Sequence, residues 1–268
     1  MSKQNPASLL DHPEIAGLVF HPRKFREPAL PPDVEELWTP AAESVSVNTR
    51  LYPADAGQPH ILFFHGNGEI AADYDDIGPI YTRLGLSFLV SDYRGYGKSG
   101  GRPNGTRMLG DARAVLKHVA RWMEENRRSG PLWVMGRSLG SAPALELAAE
   151  YPDQCRGLIV ESGFAFTLDL LERIGAPIPR ASGLDAADRV NIDKIGRYAG
   201  PTLILHAELD GIIPRAHASA LYEASPAAEK KLYIVEGADH NTILPVAGQN
   251  YFHVIRSFIQ DTEATART

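Results

Sequence analysis

Short apolar runs alternate with longer amphipathic stretches along most of this chain. Residues 44–52 alternate in period two, the pattern of a strand with one face buried. Residues 61–64, 88–90, 132–135, 158–160, 203–205 and 232–235 are short continuous apolar runs, each followed by a Gly-rich or polar turn, and they predict buried strands. Helical patterns lie between them. Residues 106–126 place Met108, Leu109, Ala112, Val115, Leu116, Val119 and Met123 at three- and four-residue spacing. Residues 138–150 are rich in Ala and Leu, and residues 242–260 predict a closing helix. Strands separated by helices of this length imply an α/β fold with a mostly parallel sheet covered on both faces.

Residues 164–200 break this rhythm, because they are too many for an ordinary crossover. They hold an amphipathic stretch from Phe166 to Ile174, a turn through Pro177, Pro179 and Gly183, and a second short helical stretch over 188–198. Long insertions in compact domains are usually lids or binding loops, so a small helical cap over residues 164–200 is expected, inserted in a core of 44–163 and 201–268. Residues 1–43 form an N-terminal extension, expected to pack on the core and to supply a first edge strand near Leu37-Trp38.

Composition narrows the partners. The 44% hydrophobic and 22% charged residues suit a single globular domain with a sizeable core. Net charge is −6 and no segment concentrates Lys and Arg, which disfavours nucleic acid. Arg127-Arg128 falls where a helix should end and there complements its dipole. Cys155 is the only cysteine, so no intrachain disulfide can form. Residues 1–30 are interrupted by Pro, His and charges, and nowhere do 18 apolar residues run together, so neither a signal peptide nor a membrane anchor is expected and the cytoplasm is the default location. There is no H-E-x-x-H, cysteine pair, Walker A lysine or G-x-G-x-x-G at a first βαβ unit, so no metal or cofactor is expected. Oligomeric state is not legible.

The chemistry concentrates in four places. Gly136-Arg137-Ser138-Leu139-Gly140 follows a predicted strand directly and opens a predicted helix. A nucleophile elbow needs this context, because the serine sits on a strained strand-to-helix turn and small neighbours let strand and helix approach. His65-Gly66-Asn67-Gly68 follows an earlier strand. It offers the Asn67 backbone N–H, which with the Leu139 N–H could stabilise an oxyanion. Asp210 ends the run 203–210 ahead of Pro214, at the strand end where ligands gather in open α/β sheets, with Glu161 and Glu208 as rival acids. His240 follows the last strand-like run in a Gly- and Asp-containing turn. His118, His217 and His253 lie in helical patterns, His12 and His21 in the extension, and His65 reads as loop framework. The chain order Ser138, Asp210, His240 is the order this kind of site uses.

Together these residues resemble the alpha/beta-hydrolase superfamily over roughly residues 44–260. Asp92-Tyr93-Arg94-Gly95-Tyr96-Gly97-Lys98-Ser99-Gly100, Phe64-His65-Gly66-Asn67 and the Ser138 pentapeptide look most like the branch of serine-aminopeptidase-like hydrolases and abhydrolase-domain acyl-protein thioesterases. The resemblance implies a mostly parallel eight-stranded sheet and hydrolysis through an acyl-enzyme. Many members of that branch carry an anchor before the hydrolase domain, which is not expected here, and His206-Ala207 stands where they often have His-Gly. The expected activity is cleavage of a small-molecule ester or thioester, with an amide ranked lower. Phe164, Phe166, Leu170 and Leu171 are candidate lining for an acyl pocket, or simply cap packing. A non-catalytic binding protein on the same scaffold, or a carbon–carbon bond hydrolase, stays open at this level.

Overall fold

A computed structural model describes residues 6–25, 30–178 and 188–265. Its strands are β1 (Glu35–Ala41), β2 (Val45–Tyr52), β3 (His60–Phe64), β4 (Ser87–Ser91), β5 (Leu132–Arg137), β6 (Gly157–Glu161), β7 (Thr202–Ala207) and β8 (Lys230–Val235). They form one eight-stranded sheet in the order β1-β2-β4-β3-β5-β6-β7-β8. β1 and β2 pair antiparallel, as do β2 and β4, and every later pairing is parallel. The helices are α1 (Pro13–Val19), α2 (Gly78–Arg83), α3 (Gly105–Glu125), α4 (Ser141–Glu150), α5 (Thr167–Arg173), α6 (Val190–Ile195), α7 (Arg215–Ala224), α8 (Ile243–Ala247) and α9 (Gln249–Thr265). This is the alpha/beta-hydrolase arrangement.

The central strands are apolar without alternation because both faces are covered. Leu62, Phe64, Val134, Leu158, Val160 and Ile204 enter one core with residues of α3, α4 and α7. Their neighbours Ile61, Phe63, Trp133, Met135, Ile159, Leu203 and Leu205 enter a second core against α2 and α9. α3 buries Met108, Ala112, Val115, Leu116, Val119 and Trp122, and its first turn is capped by the Asn104 side chain, which accepts from Arg107 N at 2.8 Å.

Three segments differ from the sequence pattern. The closing helix expected over 242–260 is two helices. Gly248 adopts φ 54°, ψ −131°, a conformation that belongs to glycine, and the chain turns there before α9 begins. Residues 190–195 do not stand apart as a lid. α6 packs against α4 and α7, with Ile192 and Ile195 buried in the first core, so it is a crossover helix between β6 and β7. The expected turn through Pro179 and Gly183 lies outside the described residues. In the extension, β1 makes the sheet edge, with Trp38 half exposed and Glu35 paired to Leu51. Residues 20–25 cross the loops at the C-terminal ends of the strands, where Gly97 N donates to Arg23 O at 2.8 Å and Lys24 Nζ to Ser99 O at 2.7 Å.

Candidate active site

β5 ends at Arg137, and the chain turns through Ser138 at φ +52° into a single 3-10 turn and then α4. A β-carbon-bearing residue held at positive φ stores roughly 1–3 kcal/mol of strain. The crowding that enforces it is explicit at the flanking glycines. A methyl group on Gly136 would fall 2.0 Å from Gly140 O, and one on Gly140 would fall 2.0 Å from Phe64 O. Strand, turn and helix approach this closely because nothing but hydrogen separates them. Ser138 is left partly exposed at the strand end.

Two further loops converge there. His240, in the turn between β8 and α8, places Nε2 2.9 Å from Ser138 Oγ. Its Nδ1 lies 2.7 Å from Asp210 Oδ2, in the loop between β7 and α7. A carboxylate only accepts, so Nδ1 carries the proton and Nε2 presents a lone pair to the hydroxyl. Asp210 Oδ1 is fixed by Ile212 N at 3.0 Å and Ile213 N at 2.8 Å. Burial alone would raise the Asp210 carboxyl, but the hydrogen bond and charge of His240 and the Ile213 N–H outweigh it, and the group lies below its ordinary value. Ile213 O is itself held by His206 Nε2 at 2.7 Å, and burial keeps the His206 pKa below its usual value, as suits a neutral donor.

The rival acids are occupied elsewhere. Glu161 accepts from Tyr251 OH at 2.6 Å and faces Arg137 Nε at 3.2 Å; Glu208 accepts from Gly237 N at 2.9 Å. Burial lifts the Glu161 carboxyl against the pull of Arg137 and Tyr251.

The turn after β3 lies against the elbow, since the methyl that Gly140 lacks would also fall 2.8 Å from His65 O. The Asn67 side chain is committed to the scaffold: its Oδ1 accepts from Tyr96 OH at 2.7 Å and His21 N at 2.9 Å, and its Nδ2 meets His21 Nδ1 at 2.8 Å. Leu139 is buried directly behind Ser138. His65 is fully buried, with Nδ1 at 2.8 Å from Gly66 O and its ring edge-on to Tyr93, a framework residue.

Comparison with known proteins agrees with this architecture. Residues 56–177 match the family model described as serine aminopeptidase, S33. The chain is 32% identical over 208 residues to alpha/beta hydrolase domain-containing protein 17C of Xenopus tropicalis, covering 74% of this chain and 61% of that one. A Saccharomyces cerevisiae protein described as an uncharacterized membrane protein is 31% identical over 181 residues, covering 67% of this chain and 62% of the other. The chain thus spans about three fifths of the length of these relatives. The Pyrococcus furiosus esterase Pf2001 superposes with a TM-score of 0.71 at 16% identity, covering 90% of this chain and 98% of the esterase. The chain has the alpha/beta-hydrolase fold, and in sequence it is similar to proteins of that superfamily. Among the described residues, no helix is long and apolar enough to cross a membrane.

The candidate acyl-pocket residues fare unevenly. Leu171 is fully buried, and Phe164 is 2% exposed and borders a void of about 30 Å³ shared with Met108 and Thr167. Both pack in the first core. Leu170 is partly buried against the same core. Phe166 lines an open cleft of about 400 Å³ with Asp169, Arg173, Asp188, Pro214 and His217, but Ser138 does not border it. Sequence reasoning missed Arg137, Glu69 and His206. Arg137 stands opposite Glu161 in the β5–β6 register, so a charge pair at adjacent strand ends was a usable signal. Glu69 carried none, because its partner Arg137 comes from a different strand, and His206 carried none, because nothing in a local pattern shows that it holds Ile213 O in the loop after its own strand.

Proposed function

We propose that this protein is a serine hydrolase that cleaves an ester or thioester through an acyl-enzyme on Ser138. The observation that carries the reading is the Ser138–His240–Asp210 hydrogen-bond chain, built on a strained turn between β5 and α4. His240 Nε2 takes the hydroxyl proton as Ser138 Oγ attacks the carbonyl, and Asp210 stabilises the resulting imidazolium and holds its tautomer. The Asn67 and Leu139 N–H groups stabilise the oxyanion. His240 then protonates the departing alcohol or thiol, and water hydrolyses the acyl-enzyme by the same proton path. Leu209 and Ile212, 63% and 42% exposed on either side of Asp210, give the rim an apolar character that suits an acyl chain.

Labelling with a fluorophosphonate probe, with the adduct mapped by mass spectrometry, tests the reading. A stoichiometric adduct on Ser138 that competes with ester turnover is expected. Folded protein that neither labels nor hydrolyses p-nitrophenyl acyl esters would overturn it.

A further inference from the structure

The residue immediately before Ser138 does more than complete the elbow. The Arg137 guanidinium, its side chain 13% exposed, lies at the meeting point of three loops. Its Nη1 pairs with Glu69 Oε1, and the other oxygen of Glu69 accepts from Gly66 N at 2.7 Å and from Tyr74 OH at 2.7 Å. Its Nε faces Glu161 Oε1 at 3.2 Å. Its Nη2 donates to His240 O at 2.9 Å and to Asn241 Oδ1 at 3.2 Å. One rigid planar group therefore touches the turn that carries Asn67, the end of β6 and the backbone of His240.

We infer that Arg137 is a positioning residue that sets the distance between the oxyanion turn, Ser138 and His240, and so governs the rate of acylation rather than substrate binding. This rests on the serine-hydrolase reading. The guanidinium suits the task because its donors diverge in a fixed plane, whereas a lysine ammonium could satisfy one loop at a time. Burial works against its charge, but Glu69 and Glu161 on either side more than restore it, so Arg137 stays cationic at any working pH. The bonds it makes join residues 68 and 103 positions apart in the chain, so no local turn can replace them.

A chamber of about 230 Å³ adjoins the guanidinium, lined among others by Glu69, Tyr74, Glu161, Asn241 and Tyr251. Truncating Arg137 would enlarge that chamber while leaving its carboxylates in place, so a small guanidinium from solution can occupy the vacated site.

The experiment is chemical rescue. In Arg137→Ala, kcat for p-nitrophenyl ester hydrolysis should fall roughly 100-fold with KM nearly unchanged, the scale expected for a displacement of about an ångström. Millimolar methylguanidinium should restore kcat saturably by about tenfold or more, and should leave wild type and Arg137→Met, whose side chain fills the space, unaltered. Glu69→Gln, which keeps the shape and weakens the bridge to Gly66, should lower kcat about tenfold with KM held, and carries the test should Arg137→Ala fail to fold. Wild-type kcat in either variant, or a loss in folded Arg137→Ala that methylguanidinium does not relieve, overturns the inference. Turnover that survives Ser138→Ala would instead remove the hydrolase reading itself.

Discussion

Two buried histidines at opposite ends of the parallel sheet are treated in opposite ways. At the C-terminal ends, His240 is 6% exposed and both ring nitrogens are engaged, one by Ser138 and one by Asp210. At the N-terminal end of β3, His60 is fully buried and neither ring nitrogen has a partner among the described residues. Its ring stands edge-on to Trp122 with centroids 6.3 Å apart, so it serves as an aromatic filler. Burial, with a smaller push from the Arg128 charge, drives its pKa down to about 4. One histidine has a partner on each nitrogen, and the other stays neutral at the expense of stability. What separates them is the partner supplied, since both are buried.

The largest test of this contrast removes the functional end. Ser138→Gly should lower kcat by about 10⁶-fold while relieving the positive φ, raising stability by about 1 kcal/mol in urea titrations. A stability loss would show that the strain is not local. Next, Asp210→Asn leaves the shape but reverses the donor at His240 Nδ1, and should cost about 10⁴-fold in kcat with substrate affinity little changed.

The N-terminal end is tested by acid. An unfolded chain protonates His60 near 6.5, the folded one only near 4. Between these values the unfolded state binds the extra proton, so His60 makes stability fall as pH drops, by about 3 kcal/mol in all. Replacing it with Phe should flatten the unfolding free energy across that window. An unchanged slope would mean that His60 is not held neutral. Asp210 acts in a lower window: its depressed carboxyl contributes stability above the ordinary value of 3.8, lost as pH falls through its folded value. The slope of unfolding free energy against pH in Asp210→Asn should therefore differ from wild type only between 3.8 and that lower folded value, with the wild-type advantage vanishing below it. Smallest of all, Gly248→Ala places a side chain at φ 54° and should cost about 1–2 kcal/mol by thermal melt, confirming that the break before α9 is conformational, since open space surrounds that position.

Much of the architecture was legible because it depends on local pattern. Continuous apolar runs of three or four residues suit a sheet covered on both faces, and the strands they predicted lie within a few residues of β3 to β8. The pentapeptide around Ser138 was legible for the same reason, since its glycines answer to contacts made within a few residues and with the neighbouring strand. Chain order pointed to Asp210 and His240, whose side chains do meet. Gly248 was overlooked within an apolar periodicity, although a glycine is the residue that lets a helix stop.

Other features depend on which loops meet, and periodicity carries no such information. Asp210 and Glu161 both end buried strands, yet only the folded chain brings Asp210 to His240 and delivers Glu161 to Arg137 and Tyr251. Phe164 and Leu171 are apolar in either role, and only the fold shows that both are buried in the core. The amino-acid sequence by itself determined the layers, the elbow and the order of the reactive groups, because backbone sterics and two-sided burial act over short distances. The tertiary structure alone decided which carboxylate partners the histidine and which histidine goes without one, because those outcomes turn on side chains brought together from distant loops.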